Sequence, residues 1–449
     1  MKIQSPLSYL PYGLRGRIEQ SPDLMRILNN ISWLFFDKFL RMGVGLIVSI
    51  WVARYLGPEQ FGLMSYAVAF VALFSVIAGL GFNGIAVRDL VQNPSETNTT
   101  MGTAFALQAL GGLFAFGLTM LTIGFVKPDD GMAKLAVSIL AFLMVFNATD
   151  VVRYWFESQV QSKYVVWTES GVFLFVSAVK IGLILAKAPL IAFIWVLFAQ
   201  GLVIATGLIV IYSWRGGDIK AWRPRLYRAK TLLSDSWPLI LAGIAYLIYM
   251  RIDQIMLGQM VGNEAVGLYT AAVQISEVWY FIPMTITASV FPFIIQAKKK
   301  SEDLYTQSLQ KLFDLMVALA CIVALPITLF ADWIVTSLFG LAYHLAGTAL
   351  SIHIWAGIFF FLQAAGGKWF LIEGLQKHSF YRTLSGAVLN VGLNMVLIPT
   401  MGIVGAAWAT IASLACASVF FNALHKRTRP LFRMQCQSFF FINRLLKQK

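Results

Sequence analysis

The sequence is poor in charged residues: Asp, Glu, Lys and Arg together fill 12% of its 449 positions, about half the usual share in soluble domains. Cysteine is also scarce, and Cys321, Cys416 and Cys436 lack the spacing of metal ligands. No GxxxxGK[ST], HExxH or CxxC pattern occurs, so ATP hydrolysis and metal catalysis have no support in the sequence. We therefore expect neither a cofactor nor a metal site.

Hydrophobic residues, by contrast, fill 58% of the positions. Several apolar runs reach the roughly 20 residues that a helix needs to cross a hydrocarbon core, and they are too long for the alternating strands of a membrane barrel. These runs predict an all-α polytopic membrane protein with twelve transmembrane helices. The predicted spans are 31–54, 61–85, 102–126, 135–155, 164–186, 189–213, 236–259, 266–292, 313–338, 345–370, 381–400 and 403–424.

The net charge of +14 is unevenly distributed along this map. Most Lys and Arg residues fall in loops on the same side as the N-terminus, while the opposite side holds only Arg54, Lys127, Lys134 and Lys187. Because cytoplasmic loops are enriched in Lys and Arg, both termini are predicted to be cytoplasmic. An odd number of spans would mix these loops, so the asymmetry supports an even number.

One connection occurs twice in the chain. YLGPEQFGLMSYAVAF at 55–70 returns as MVGNEAVGLYTAAVQI at 260–275, and WTESGVF at Trp167 has an echo in RTLSGAV at Arg382. This repetition predicts two six-helix bundles related by a pseudo-two-fold axis along the membrane normal, with substrate held between them during alternating access. The predicted segments are an N-terminal cytoplasmic segment (1–30), the first bundle (31–213), a basic cytoplasmic linker (214–235), the second bundle (236–424) and a basic cytoplasmic or interfacial tail (425–449).

Charged side chains inside the predicted spans are the first candidates for function, because a charge at the bilayer centre costs about 2.5–3.5 kcal/mol on insertion scales. Such residues usually face a cavity. The cations among them predict a basic cavity for an anionic ligand such as a lipid pyrophosphate, which guanidinium and ammonium groups bind through charge-assisted hydrogen bonds. These substrate-binding candidates are Arg251, Arg41, Lys38, Lys180 and Lys368.

Three carboxylates in the spans are candidates for ion coupling. Asp37 is four residues from Arg41 on one helix face, where the two side chains form either a neutralising bridge or a functional pair. Asp253 points to a different face from Arg251, so we expect no contact between them. Glu277 is a candidate proton carrier unless a cation from another helix reaches it; the alternative is a protonated Glu that hydrogen-bonds a neighbouring helix. Two weaker candidates inside the spans are Glu169 and His353.

The order of several motifs along the chain resembles that of a known family. The motifs are VARYLGPEQFGLMSYAVAF after the first span, GIAVRDL after the second, MRIDQIMLG in the seventh, VGNEAVGLYTAAVQI after it, and LIPTMGIVGAAWAT between the last two. They resemble the polysaccharide-unit (O-antigen or repeat-unit, Wzx-type) flippases of the multidrug/oligosaccharidyl-lipid/polysaccharide exporter superfamily.

The resemblance implies a bacterial inner-membrane protein that moves an undecaprenyl-pyrophosphate-linked oligosaccharide from the cytoplasmic to the periplasmic leaflet. The product would serve O-antigen lipopolysaccharide, capsule or exopolysaccharide synthesis. It also implies a cationic central cavity, lined by Arg251 and Asp253, and coupling to an ion gradient without an ATP site. Candidate partners are the lipid-linked oligosaccharide, membrane lipids, a polysaccharide polymerase and chain-length proteins, with no role for nucleic acid.

Three other functions are open at this point. A drug or cation antiporter of the same superfamily would share the architecture but favour an acidic cavity. A membrane glycosyltransferase, polymerase or ligase acting on lipid-linked sugars typically needs a long extracytoplasmic loop, which the predicted map lacks. A major-facilitator carrier would also have six plus six spans, but the loop VRDLVQNPSETNTT lacks the Gly-Asp-Arg-Gly-Arg pattern of that family. We therefore expect a membrane transporter and not an enzyme.

Overall fold

The computed structural model describes residues 22–440, with side chains at Trp33 and from Asp37 onward. Helices and short turns account for these residues, and no β-strand occurs among them. The first helices are α1 (Pro22–Gly79), α2 (Phe82–Gln92), α3 (Thr97–Val126), α4 (Gly131–Ala141), α5 (Leu143–Phe146), α6 (Asp150–Ser158), α7 (Lys163–Leu185), α8 (Leu190–Trp214) and α9 (Leu226–Met260). They are followed by α10 (Asn263–Glu277), α11 (Phe281–Lys300), α12 (Glu302–Leu329), α13 (Ala331–Phe339), α14 (Ala346–His353), α15 (Ala356–Ile372), α16 (Gln376–Ser418) and α17 (Arg429–Ser438).

Within the described residues, ten helical stretches are long and apolar enough to cross a membrane. Two of them, Asp37–Gln92 and Gln376–Ala423, are longer than one crossing requires, with 56 and 48 residues. Each is interrupted by a glycine outside the helical region, Gly57 (φ 73°, ψ 169°) in α1 and Gly402 (φ 55°, ψ −130°) in α16. The all-helical, multi-pass membrane architecture is thereby confirmed, while the count of twelve spans and the two-fold axis stay predictions.

The break in α1 follows from its sequence. Gly57 adopts a positive φ that other residues rarely adopt, and Pro58 directly after it suits the first turn of the next helix, where its missing N–H is not needed. The second copy has Gly262 at φ 123° followed by Asn263, the first residue of α10. The same local chemistry thus ends one helix and starts the next in both copies.

The chain forms two compact units. The first contains the described residues up to Ser49 together with Phe74–Ile240, and the second contains Ile50–Leu73 together with the described residues from Leu241 onward. The repeated connection at 55–70 therefore packs in the second unit, although it lies near the start of the chain. The predicted six-helix bundles and their boundaries stay predictions; residues 1–21 and 441–449 of the predicted terminal segments lie outside the described residues.

Inside the second unit, the two copies of the connection contact each other through matched glycines. A Cβ atom on Gly62 would lie 1.7 Å from the carbonyl oxygen of Asn263, and one on Gly267 would lie 1.9 Å from that of Pro58. Gly62 and Gly267 occupy equivalent positions in the two copies, as do Pro58 and Asn263. The contact is therefore reciprocal, and it is a backbone-to-backbone approach that only glycine permits.

The basic linker is bound to the first unit along part of its length. The backbone N–H of Arg223 donates to the carbonyl of Asn98 over 3.1 Å. Arg228, at the start of α9, is buried, and its Nη2 lies 3.2 Å from an oxygen of Asp89 and 2.8 Å from one of Glu96. At least one cation of the linker, Arg228, thus forms ion pairs with carboxylates of the protein itself.

Helix α17 in the basic tail also packs against protein. Leu431 and Gln435 are fully buried, and Leu431 joins a hydrophobic core with Phe313 and Phe361 in the second unit. Its apolar face meets α12 and α15, and the cytoplasmic or interfacial position of the tail stays a prediction.

We expect Gly62→Ala and Gly267→Ala each to lower the thermal unfolding midpoint in detergent by several degrees. The added methyl group would overlap a carbonyl oxygen that belongs to another helix, and overpacking of this kind costs about 1–3 kcal/mol or more. The control is Gly117→Ala in α3, where a Cβ would meet nothing within 4 Å. That change should leave the midpoint unchanged or raise it, because Ala favours helix. Equal midpoints for all three variants would contradict the reciprocal contact.

Candidate functional site

In the first unit, the predicted pair of Asp37 and Arg41 is present on α1. The Nε of Arg41 donates to Asp37 Oδ1 over 2.7 Å, and its Nη2 donates to Glu169 Oε2 on α7 over 2.9 Å. Asp37 Oδ1 also accepts a hydrogen bond of 2.5 Å from Ser170. Arg41 is therefore held by two carboxylates, which makes it a weaker candidate for binding a ligand than its position in the sequence suggests.

Glu169 is the centre of this network. Its side chain is 7% exposed, and its second oxygen lies 2.6 Å from Nη2 of Arg153, which is also 3.4 Å from Asp150 on the same helix. Glu169 thus joins two guanidinium groups from different helices. Sequence reasoning gave it little weight, although its place in the WTESGVF echo was a usable signal.

The other two predicted cations of the first unit have different surroundings. Lys38 is exposed, and Lys180 is partly buried in α7. Among the described residues, no carboxylate forms an ion pair with either lysine. They are better placed than Arg41 to meet an anion, because their charge is not compensated by a described neighbour.

In the second unit, a cation from another helix does reach Glu277. Nη2 of Arg251 on α9 lies 3.5 Å from Oε2 of Glu277 at the end of α10, with the side chains 35% and 22% exposed. This separation exceeds the 2.7–3.2 Å of a typical N–H···O hydrogen bond. The two side chains are therefore partly exposed, and their contact is longer than those that join Glu169 to Arg41 and Arg153.

Among the described residues Asp253 forms no ion pair with Arg251, as its position on the helix predicted. It is 5% exposed; its Oδ2 accepts from the hydroxyl of Tyr269 over 2.5 Å and its Oδ1 from the N–H of Gln254 over 2.8 Å. Thr410 on α16 completes the group at 3.1 Å from the Tyr269 hydroxyl. The carboxylate therefore ties α9, α10 and α16 together within the second unit.

His353 belongs to the same interior. Its Nδ1 lies 2.9 Å from the hydroxyl of Ser276, and its ring contacts Tyr269 edge to face at 5.8 Å between centroids. The residue is buried, with 2% exposure. These contacts explain its presence in a span through packing and hydrogen bonding.

The second unit also contains a cavity of about 520 Å³. Two cations line it, the predicted Lys368 on α15 and Arg382 on α16, along with Tyr246 and Gln363. Nζ of Lys368 lies 5.0 Å from the ring centroid of Phe291. Sequence reasoning placed Arg382 at the start of the predicted span 381–400 and did not propose it as a site residue; its position at the start of the RTLSGAV echo was the available signal.

We expect Glu169→Gln to destabilise the protein by about 2–3 kcal/mol, because two guanidinium groups would lose a shared counter-charge. This is below the roughly 3–5 kcal/mol of a fully buried pair, since Arg41 and Arg153 are partly exposed. The matched control is Glu264→Gln, an exposed glutamate in the second copy of the repeated connection. Denaturant unfolding in detergent tests this, and equal stability of the two variants would refute the bridging role.

Comparison with known proteins identifies the family. A family model described as polysaccharide biosynthesis protein matches residues 27–298, and a second, MatE, matches 238–396. A probable low-salt glycan biosynthesis flippase, Agl15 of Haloferax volcanii, is 23% identical over 411 residues, covering 86% of this chain and 80% of its own. The succinoglycan biosynthesis transport protein ExoT of Rhizobium meliloti is 24% identical over 257 residues, covering 55% of this chain and 49% of its own.

Solved structures agree on the fold. The lipid II flippase MurJ in an inward closed conformation superimposes with a TM-score of 0.68 at 13% identity, covering 93% of each chain. An inward-facing multidrug resistance MATE transporter gives a TM-score of 0.69 at 14% identity, covering 90% of this chain and 99% of the other. Since the first family model spans more than half of the chain, this membrane transporter belongs to the polysaccharide biosynthesis protein family, and both family models and the relatives named as flippases support the resemblance to polysaccharide-unit flippases of the multidrug/oligosaccharidyl-lipid/polysaccharide exporter superfamily.

Proposed function

We propose that the protein moves an undecaprenyl-pyrophosphate-linked oligosaccharide repeat unit from the cytoplasmic to the periplasmic leaflet of a bacterial inner membrane, with both termini cytoplasmic. Family membership, a relative named as a glycan biosynthesis flippase and a second relative named as a flippase support a lipid-linked glycan as the substrate. The pyrophosphate is the part of such a lipid that needs charge compensation in the membrane. A cationic cavity and alternating access would supply the route, and surface polysaccharide synthesis would consume the product.

The pair of Arg251 and Glu277 is the observation that carries this proposal. Arg251 is inside a span, partly exposed, and 3.5 Å from its carboxylate partner. A pyrophosphate offers several oxygens to the guanidinium fork and carries more charge than one carboxylate, so it competes well for Arg251. The short contacts of Arg41 would make the same exchange more costly there.

Exchange at Arg251 would couple substrate binding to protonation of Glu277. When the pyrophosphate takes Arg251, Glu277 loses its counter-charge, and an uncompensated carboxylate in a span is costly. It then binds a proton. A lower pH on the loading side therefore favours loading, so this exchange makes the loading step depend on pH. Asp253, occupied by its hydrogen bonds, suits this role less well.

The other predicted cations take supporting roles in this scheme. Lys38, Lys180 and Lys368 would add positive charge along the route, and Arg41 with Asp37 would position α1 against α7. Membrane lipids, a polysaccharide polymerase and chain-length proteins are the proposed further partners.

A second candidate function is export of organic cations. The network of the first unit contains three carboxylates, Asp37, Glu169 and Asp150, against two guanidinium groups, Arg41 and Arg153, and so carries a formal charge of −1. The fold is also shared with a multidrug transporter. A transport assay with both kinds of substrate separates the two functions.

We expect Arg251→Ala to lower the rate of leaflet transfer by about 10- to 100-fold, because a hydrogen-bonded charge contributes about 1.5–3 kcal/mol. Arg251→Lys should retain an intermediate rate, since it keeps the charge and loses the fork. The assay uses liposomes that contain a fluorescent undecaprenyl-pyrophosphate oligosaccharide and measures its appearance in the opposite leaflet. Lys220→Ala, an exposed linker cation, is the control.

Transfer at the wild-type rate by a well-folded Arg251→Ala protein would contradict the role of this residue. Absence of transfer by the wild type, together with export of a small organic cation, would favour the second function.

We expect Glu277→Gln to bind the lipid pyrophosphate more tightly than the wild type and to lose its response to a pH gradient. Glutamine cannot ionise and does not compete for Arg251. Transfer is measured with the loading side acidic, neutral or alkaline, at constant ionic strength. The control is Asp253→Asn, which should keep a pH response if it is stable. An unchanged response in Glu277→Gln would assign the coupling to another group.

A further inference from the structure

The cavity in the second unit has positive charge without a negative counterpart. Lys368 from α15 and Arg382 from α16 line it, and none of its sixteen described lining residues is Asp or Glu. Its volume of about 520 Å³ falls in the range of small-molecule sites, roughly 300–1,000 Å³. The volume suits a small molecule or a chemical group of similar size, and the two cations favour a negatively charged one.

The unpaired N–H donors of Arg382 indicate which kind of ligand the cavity would bind. The residue is 3% exposed, its guanidinium lies 4.6 Å from the ring centroid of Phe370, and its Nε and Nη1 have no hydrogen-bond partner among the described residues. A buried unpaired donor costs about 1–3 kcal/mol, and more when it is charged. Every unpaired Arg382 atom is a donor, so the missing partner is an acceptor.

A neighbouring residue has the same deficiency. Nε2 of Gln435 is also buried without a partner among the described residues. Gly366 has no side chain there: a Cβ on it would lie 3.4 Å from that atom and 3.5 Å from Nη1 of Arg382. Two unsatisfied donors therefore lie close to Gly366, whose neighbour Gly367 lines the cavity, and such a pair suits a group with several acceptor oxygens such as a phosphate.

The other residues that line the cavity indicate the chemistry of the uncharged part of the ligand. Phe360, Leu371, Phe380 and Met284 contribute apolar surface next to the two cations. A ligand with a charged group at one end and an apolar chain at the other matches this division. Free inorganic phosphate would satisfy only the polar part.

The cavity lies at the N-terminal end of α16. Gln376 and Ser379, in the first turn of α16, line the cavity, and a helix N-terminus adds partial positive charge. This end of the span carries Lys377 and belongs to the side that the distribution of Lys and Arg predicts to be cytoplasmic. The cavity is thus close to the leaflet from which a lipid substrate would be loaded.

We propose that this cavity binds the phosphate group of a lipid, with Arg382 as its main ligand and Lys368 as a second cation. The shared chemistry is a phosphate ester on an apolar chain, as in a polyprenyl phosphate or a glycerophospholipid. Only the choice of a polyprenyl lipid rests on the proposed function. Binding of a phosphate headgroup follows from the cavity itself.

The test measures binding to the full-length protein in detergent, by native mass spectrometry and by the thermal midpoint as a function of ligand concentration. The probes are undecaprenyl phosphate, phosphatidylglycerol, inorganic phosphate, and undecaprenol, which has the same chain without the phosphate. We expect undecaprenyl phosphate to bind at least tenfold more tightly than undecaprenol. Arg382→Gln should weaken this binding at least tenfold, and Arg382→Lys less. Arg427→Gln, an exposed cation, is the control.

Lys368→Gln provides a second variant at a less buried position, should Arg382→Gln fail to fold. Equal binding of the two polyprenyl lipids, or wild-type binding by folded Arg382→Gln or Lys368→Gln protein, would overturn the proposal. Tighter binding of phosphatidylglycerol than of undecaprenyl phosphate would assign the phosphate site to membrane phospholipid, and binding of inorganic phosphate alone would overturn the lipid assignment. Leaflet transfer measured on the same variants separates the two proposals. Variants that transfer the lipid normally but no longer bind the phosphate lipid would leave the proposed function intact. A wild-type protein that binds the phosphate lipid but does not transfer the oligosaccharide lipid would leave the binding site intact.

Discussion

The two copies of the repeated connection can touch only because each has a glycine where the backbone of the other arrives. Gly62 faces the carbonyl of Asn263, and Gly267 faces that of Pro58. Any side chain at either glycine would separate the helices. This approach anchors Ile50–Leu73 in the second unit, although the residues before and after them in the chain belong to the first. The reciprocal glycine contact is thus one of the interactions by which Ile50–Leu73 packs in the second unit.

Arg41 of the first unit and Arg251 of the second differ in how tightly carboxylates hold them. In the first, Glu169 holds Arg41 and Arg153 through contacts of 2.9 and 2.6 Å, which favours a fixed network. In the second, Arg251 faces Glu277 at 3.5 Å, and Arg382 has no carboxylate partner among the described residues. A charge that is expensive in the membrane and weakly compensated is available to a ligand, because the ligand supplies the compensation that the protein lacks.

A fold shared by drug exporters and lipid flippases does not by itself select a substrate. The substrate is selected by the sign of the charged side chains on that fold and by whether those side chains already have an ion-pair partner. Lys368 and Arg382 line one cavity together with aromatic residues, an arrangement that suits a phosphate on an apolar chain and repels an organic cation. The polar network of the first unit has the opposite balance, so the two units offer different chemistry within one protein.

The sequence by itself determined the helical membrane class, since uninterrupted apolar runs have no other stable conformation in a bilayer. It also determined local features: the breaks at Gly57 and Gly262, the pairing of Asp37 with Arg41 four residues away, and, among the described residues, the absence of an ion pair between Arg251 and Asp253. Each depends on one or two turns of helix, so spacing along the chain suffices to predict it. Contacts between helices follow no such rule. Only the tertiary structure decided that Arg251 meets Glu277, that Glu169 bridges two arginines, and that Arg382 is buried in a cavity, because these depend on which helix faces pack together.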